Sequence, residues 1–84
     1  MIEEVAFNYA LAKQITNKEV EGFIQTTNGL NVRIICFDYM VPFYPIIGLT
    51  SSARGGEEEI RLYDVHGKCY HDWEQFDLHL FVEK

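Results

Sequence analysis

Apolar residues recur along the chain with two different periods. Phe7, Leu11 and Ile15 return every four residues, with Ala10 beside them, which is the stripe of an amphipathic helix. Asn8 suits the N-cap of such a helix, and Lys13 suits the negative end of its dipole. Thr16-Asn17 supplies a stop. Two turns of helix do not hold alone in water, so the stripe predicts a surface beneath it. From Glu19 onward the period becomes two. Residues 19–26 and 31–38 read as strands around Thr27-Asn28-Gly29-Leu30. Asn-Gly accepts positive φ at both central turn positions, so Asn28-Gly29 predicts a two-residue type I′ hairpin loop. In that register Phe23 faces Ile34 and Val20 faces Phe37. One face then carries Val20, Ile24, Ile35 and Phe37, and the other Phe23, Val32, Ile34 and Cys36. Apolar side chains on both faces predict a hairpin at the centre of the fold, with the helix over one side.

The second half of the chain predicts shorter strands. Residues 40–44 contain Pro42 and lead into Pro45, which reads as a loop, and residues 46–50 then form a strand. The missing amide donors of the prolines confine this region to a sheet edge or a strand start. Residues 51–56 are turn-forming by composition. Between 59 and 64, Ile60 and Leu62 alternate with Arg61 and Tyr63. His66-Gly67 marks a turn, residues 68–71 a return strand, and residues 72–75 a loop. Phe76, Leu78, Leu80 and Val82 then alternate with Asp77, His79 and Phe81, the pattern of a half-buried strand. One short helix and five or six strands predict a mostly β, β-rich α+β domain spanning residues 1–84. The expected architecture is a small antiparallel SH3-like barrel or roll with the N-terminal helix packed on it, because closure hides strand edges. A curled open sheet with the helix across one face is the alternative.

Length and charge narrow the function classes. Eighty-four residues serve one core and leave no second lobe to form a deep cleft. Thirteen acidic against seven basic residues give a net charge of -6. That balance disfavours binding to a phosphate backbone or an anionic membrane, both of which call for Lys and Arg. Two cysteines are too few for a disulfide scaffold. The opening Met1-Ile-Glu-Glu-Val is not a signal peptide, and no apolar run reaches the roughly 18–20 residues of a membrane span. The expected setting is therefore the cytoplasm, with reduced thiols. A monomer or a homodimer is expected, the strand near Pro45 and the last strand being the edges available for pairing.

Residues able to carry chemistry are few. His66-Gly-Lys-Cys69-Tyr-His71-Asp72 holds imidazole and thiol groups that suit zinc, with Cys69 and His71 on one strand face. A closed site needs four ligands, so His79 or Cys36 would have to be brought in by folding. Cys69, His71 and His79 are thus weak metal candidates, and no metal or cofactor is expected. As nucleophile and base, Cys69 and His71 have poor spacing and no oxyanion hole. Ser51 and Ser52 lack a nucleophile-elbow context. Glu57, Glu58 and Glu59 point to alternate faces and do not converge. Arg54-Gly55-Gly56 lacks the ending of a phosphate loop. No enzyme is expected. The aromatic residues Tyr39, Phe43, Tyr44, Tyr63, Tyr70 and Trp73 gather with Phe37 around the expected loops. On a small barrel such rings grip a peptide or a base, and at this charge the expected partner is another protein. An acidic decoy that imitates nucleic acid, and so occupies a DNA-binding protein, is the alternative.

The segments Tyr9-Ala-Leu-Ala-Lys-Gln-Ile-Thr-Asn, Val20-Glu-Gly-Phe-Ile-Gln-Thr, Asn28-Gly, Val32-Arg-Ile-Ile-Cys-Phe-Asp and Tyr44-Pro-Ile resemble a group of small uncharacterised proteins from gut bacteria and from phage or mobile-element gene neighbourhoods. The likeness runs from the helix to the third strand and weakens afterwards. It rests on turns and core positions, so it implies a phage-type context and carries over no functional residue.

Overall fold

Asn8 begins the helix as its side chain predicts. Its Oδ1 accepts a hydrogen bond from the Leu11 amide at 3.0 Å, and α1 runs Tyr9–Thr16. The helix stops in a Schellman turn. Lys18 takes φ 62°, its amide donates to the Ile15 carbonyl, and the Glu19 amide donates to the Gln14 carbonyl. The computed structural model describes residues 1–40, 43–51, 58–70 and 73–83 of the chain. The predicted turn over 51–56 therefore lies outside the described residues except for Ser51.

The strands are β1 (Ile2–Val5), β2 (Gly22–Thr26), β3 (Val32–Cys36), β4 (Ile46–Ser51), β5 (Glu58–Tyr63) and β6 (Leu78–Glu83). They form two antiparallel sheets of three, in the orders β1-β6-β2 and β3-β4-β5. The mostly β class, the short helix and five of the six strands match the sequence. Among the described residues no ladder closes the two sheets into a barrel, and the arrangement is a two-sheet roll. β1 was not expected. Its Ile-Glu-Glu-Val has two carboxylates and only half-buries Val5, so it carries almost no apolar pattern.

The central hairpin is corrected. Gly29 alone takes positive φ (86°), its amide donates to the Thr26 carbonyl, and Thr26 pairs with Leu30. The loop is thus the three residues 27–29, a turn followed by a glycine bulge, and not a two-residue type I′ turn. Its amides are held from outside as well, Thr27 by the Asp77 carbonyl and Asn28 by the Gln75 carbonyl. One residue more in the loop shifts the register to Gln25 opposite Asn31, where the β2–β3 pairing ends. The strands then part into different sheets. Phe23 faces Phe81 instead of Ile34, and each strand buries one side only.

The edge assignment is corrected too. β4 is central in its sheet and β6 central in the other, so neither is free to pair between chains. Pro45 lies just ahead of β4, where its lack of a donor costs no ladder bond. Among the described residues, the expected return strand over 68–71 keeps a single bridge, between Tyr63 and Cys69.

One core joins the two sheets and the helix. Ile24, Leu78, Leu80 and Val82 come from the first sheet, Ile34, Ile46 and Tyr63 from the second, and Ala12 and Ile15 from α1. Ala12 is the small helical residue in the core, whereas Ala10 is exposed. Gly67 holds φ 79° in the turn from Asp64 to Lys68, and a side chain there would meet the Phe7 ring. Among the described residues no helix is long and apolar enough to cross a membrane.

Candidate functional site

The two sheets differ on their outward faces. Alternation in the first puts Phe23 and Phe81 outside, stacked at 5.0 Å, among Glu4, Gln25 and His79. Ile2 is exposed on the same face, and polar groups flank the two rings. His79 uses both ring nitrogens there, at 2.8 Å from Glu4 and 2.8 Å from Thr27.

The second sheet turns outward a surface that is almost wholly apolar. Ile47 stands opposite Leu62, and Leu49 opposite Ile60. A bulge in β3 inserts Ile35 between two registered pairs and leaves it 56% exposed. Ile60 is 68% exposed. Arg33 reaches Glu58 with two hydrogen bonds, of 2.8 and 3.3 Å, and so sets a charged boundary at one end of this face. At the other end lie aromatic rings. Ile35, Ile47, Ile60 and Leu62, with Tyr39, Tyr70 and Trp73, line a groove of about 480 Å³.

The groove wall is fixed by Arg61. Its guanidinium carbon sits 4.0 Å from the centre of the Phe76 ring and 5.3 Å from that of Trp73, while Glu59 binds its outer nitrogen. This holds the short 3₁₀ turn Glu74–Phe76 and the preceding Trp73 against β5. Tyr44 meets Tyr70 edge-on at 4.8 Å and backs that ring from behind. Three of the six predicted aromatic residues, Tyr39, Tyr70 and Trp73, thus share one groove, with Tyr44 as support. Phe43 is 84% exposed at φ 74° and is not part of the lining. Tyr63 is fully buried, on the inward side of β5, which corrects its placement among the surface rings.

Ile35, Ile47, Ile60 and Leu62 were missed as site residues. Each sits in a strand pattern that equally describes a core, and only the pairing of the sheets decides which face is covered. The signal was doubled isoleucines at 34–35 and 46–47, one member of each pair being in excess of a single buried face.

The metal candidates are not assembled. Cys69 is buried opposite Tyr63, the last residue of β5, its amide held by Asp77 Oδ1 at 2.8 Å, whereas His79 lies on the outer face of the other sheet. His71 lies outside the described residues. Among the described residues no group of three or more His, Cys, Asp or Glu could hold a metal ion. Burial raises the Cys69 thiol above its ordinary value; Arg61 opposes this and Asp77 adds to it. Such a group stays protonated at neutral pH and is a poor nucleophile. Glu58 and Glu59 point to opposite faces, toward Arg33 and Arg61, as their adjacency predicts. Comparison with protein-family models, curated proteins and solved structures finds none that matches this chain.

Proposed function

We propose that this chain is a non-enzymatic binding module whose groove receives an extended apolar segment of another protein. The single observation behind this reading is the outward face of the β3-β4-β5 sheet. It leaves Ile35 and Ile60 more than half exposed beside three aromatic rings. Contiguous apolar surface of this kind is costly to leave in water and marks an interaction site. Tyr and Trp suit such a site because they bring large area with few rotatable bonds. The net charge of -6 selects a protein over nucleic acid or an anionic membrane.

Selection of a random dodecapeptide display library against the immobilised protein tests the reading. Enriched peptides should carry apolar anchors, and their affinity should fall at least about tenfold in the Ile60→Asp variant. Ile60 is mostly exposed, so this change leaves the core intact. An absence of enrichment, or peptides that bind the variant equally well, would overturn the proposal.

A further inference from the structure

On the outward face of the first sheet, a hydroxyl, an imidazole and a carboxylate run in one hydrogen-bonded series. β6 lies between β1 and β2, so His79 has Glu4 of β1 on one side and the turn after β2 on the other. Its Nδ1 stands 2.8 Å from Glu4 Oε2, and its Nε2 stands 2.8 Å from Thr27 Oγ1. A carboxylate can only accept, so the neutral ring carries its proton on Nδ1. Nε2 then offers its lone pair to the Thr27 hydroxyl, which donates. Hydroxyl to base to orienting group is the order that activates a weak oxygen nucleophile. Backbone pairing fixes the three parts. Glu4 is registered opposite Phe81, His79 opposite Gln25, and the Thr27 amide donates to the Asp77 carbonyl. Thr27 is exposed, so a reagent reaches its hydroxyl from solvent.

We propose that Thr27 is an acyl-acceptor site, its hydroxyl taking the acyl group of a small activated aryl ester. Thr27 Oγ1 bonds to the acyl carbon as the bond from that carbon to the leaving oxygen breaks. The hydroxyl proton passes to His79 Nε2, and the leaving oxygen departs with the bonding pair as an aryloxide. Glu4 is a positioning residue, which holds the ring tautomer and offsets the imidazolium charge. The imidazolium then gives its proton to solvent. The backbone limits how far this goes. The amides of residues 26–30 are all engaged within the protein, so the turn offers none of them as an oxyanion donor. What is left is general-base assistance, typically about 10²–10⁴-fold. The donor must therefore bring its own good leaving group, and the product is an ester on Thr27. No turnover is involved, so the step stands independently of the groove and of its reading as a docking site.

The probe is p-nitrophenyl acetate, with the acetylated residues mapped and followed in time by peptide mass spectrometry. Thr27 should gain acetyl at least about 100-fold faster in the folded protein than in the same chain unfolded in urea. Thr27→Ser should keep the label, and His79→Gln should bring it down to the unfolded rate. Glu4→Gln keeps an acceptor for Nδ1 but removes the charge, and it should slow labelling several-fold. The His79 and Glu4 side chains are 35% and 54% exposed, so neither change opens the core. A purely structural tie between β1 and the turn would shift the unfolding midpoint in these variants and leave Thr27 acetylation unmoved. Labelling of Thr27 at one rate folded and unfolded, or undiminished in His79→Gln, would overturn the proposal. So would acetyl confined to His79 or to amines, with none on Thr27.

Discussion

At the scale of single residues, two positions carry more than their side chains suggest. Lys18 occupies the left-handed position after α1, where glycine is the residue without a steric penalty. Both backbone bonds of the Schellman turn depend on that conformation. Lys18→Gly should therefore raise stability, by roughly 0.5–1 kcal/mol in urea unfolding, since the left-handed conformation costs other residues about 1–2 kcal/mol. An unchanged midpoint would show that the turn is not strained. Tyr63 is the second position. Its hydroxyl is buried without a hydrogen-bond partner among the described residues, and burial above all holds its ionisation well above the ordinary range. Cys69 is raised by the same cause. For both groups the unfolded chain loses its proton first as pH rises, so the unfolded state binds fewer protons and stability falls. The decline should begin near the ordinary thiol value, roughly pH 8.5, and steepen above the ordinary tyrosine value of about 10. Tyr63→Phe should be neutral or stabilising by up to about 1 kcal/mol at pH 7 and should flatten the tyrosine part of the decline. Thermal melts between pH 7 and 11 measure both effects.

At the scale of elements, the sheets depend on a close approach that no side chain would permit. A Cβ on Gly22 would lie 2.2 Å from the Phe81 carbonyl oxygen, where β2 runs beside β6. That contact is with backbone and does not yield by a rotamer change. Gly22→Ala should cost at least about 1–3 kcal/mol, read as a lower unfolding midpoint with the m-value retained. The same element shows how far the sequence could be read. The capped helix, the last strand with Leu78, Leu80 and Val82 inward, and the alternation of β5 were legible, because each rests on local period and capping chemistry. The split between β2 and β3 was not. A two-residue and a three-residue loop at Asn28-Gly29 share the same residues, and the hydrogen bonds from the Thr27 amide to the Asp77 carbonyl and from the Asn28 amide to the Gln75 carbonyl join segments far apart in the chain. The centrality of β4 was hidden because its prolines pointed to an edge, while Pro45 stands before the strand and not within it. The groove was half legible. Tyr39, Tyr70 and Trp73 could be suspected as loop aromatics, but its floor of isoleucine and leucine has the same pattern as a core, and Tyr63 shares the alternation of β5 while facing inward.

At the scale of the whole molecule, the two outward faces divide the surface. One seats its stacked Phe23 and Phe81 among Glu4, Gln25 and His79, with His79 tying β1 to the 27–29 turn. The other leaves Ile35 and Ile60 exposed beside Tyr39, Tyr70 and Trp73. A small domain has little stability to spare, so the run of isoleucine and leucine uncovered on one sheet stands out against the mixed apolar and polar face of the other. On the proposed function, this face, and not the opposite one, is where a partner docks. Backbone amide shifts recorded during titration with a peptide enriched from the display library test it most directly. The account predicts the largest shifts at Ile35, Ile47, Ile60, Leu62, Tyr70 and Trp73, with Phe23, His79 and Phe81 unmoved. Shifts centred on Phe23 and Phe81, or none at all at millimolar peptide, would contradict it.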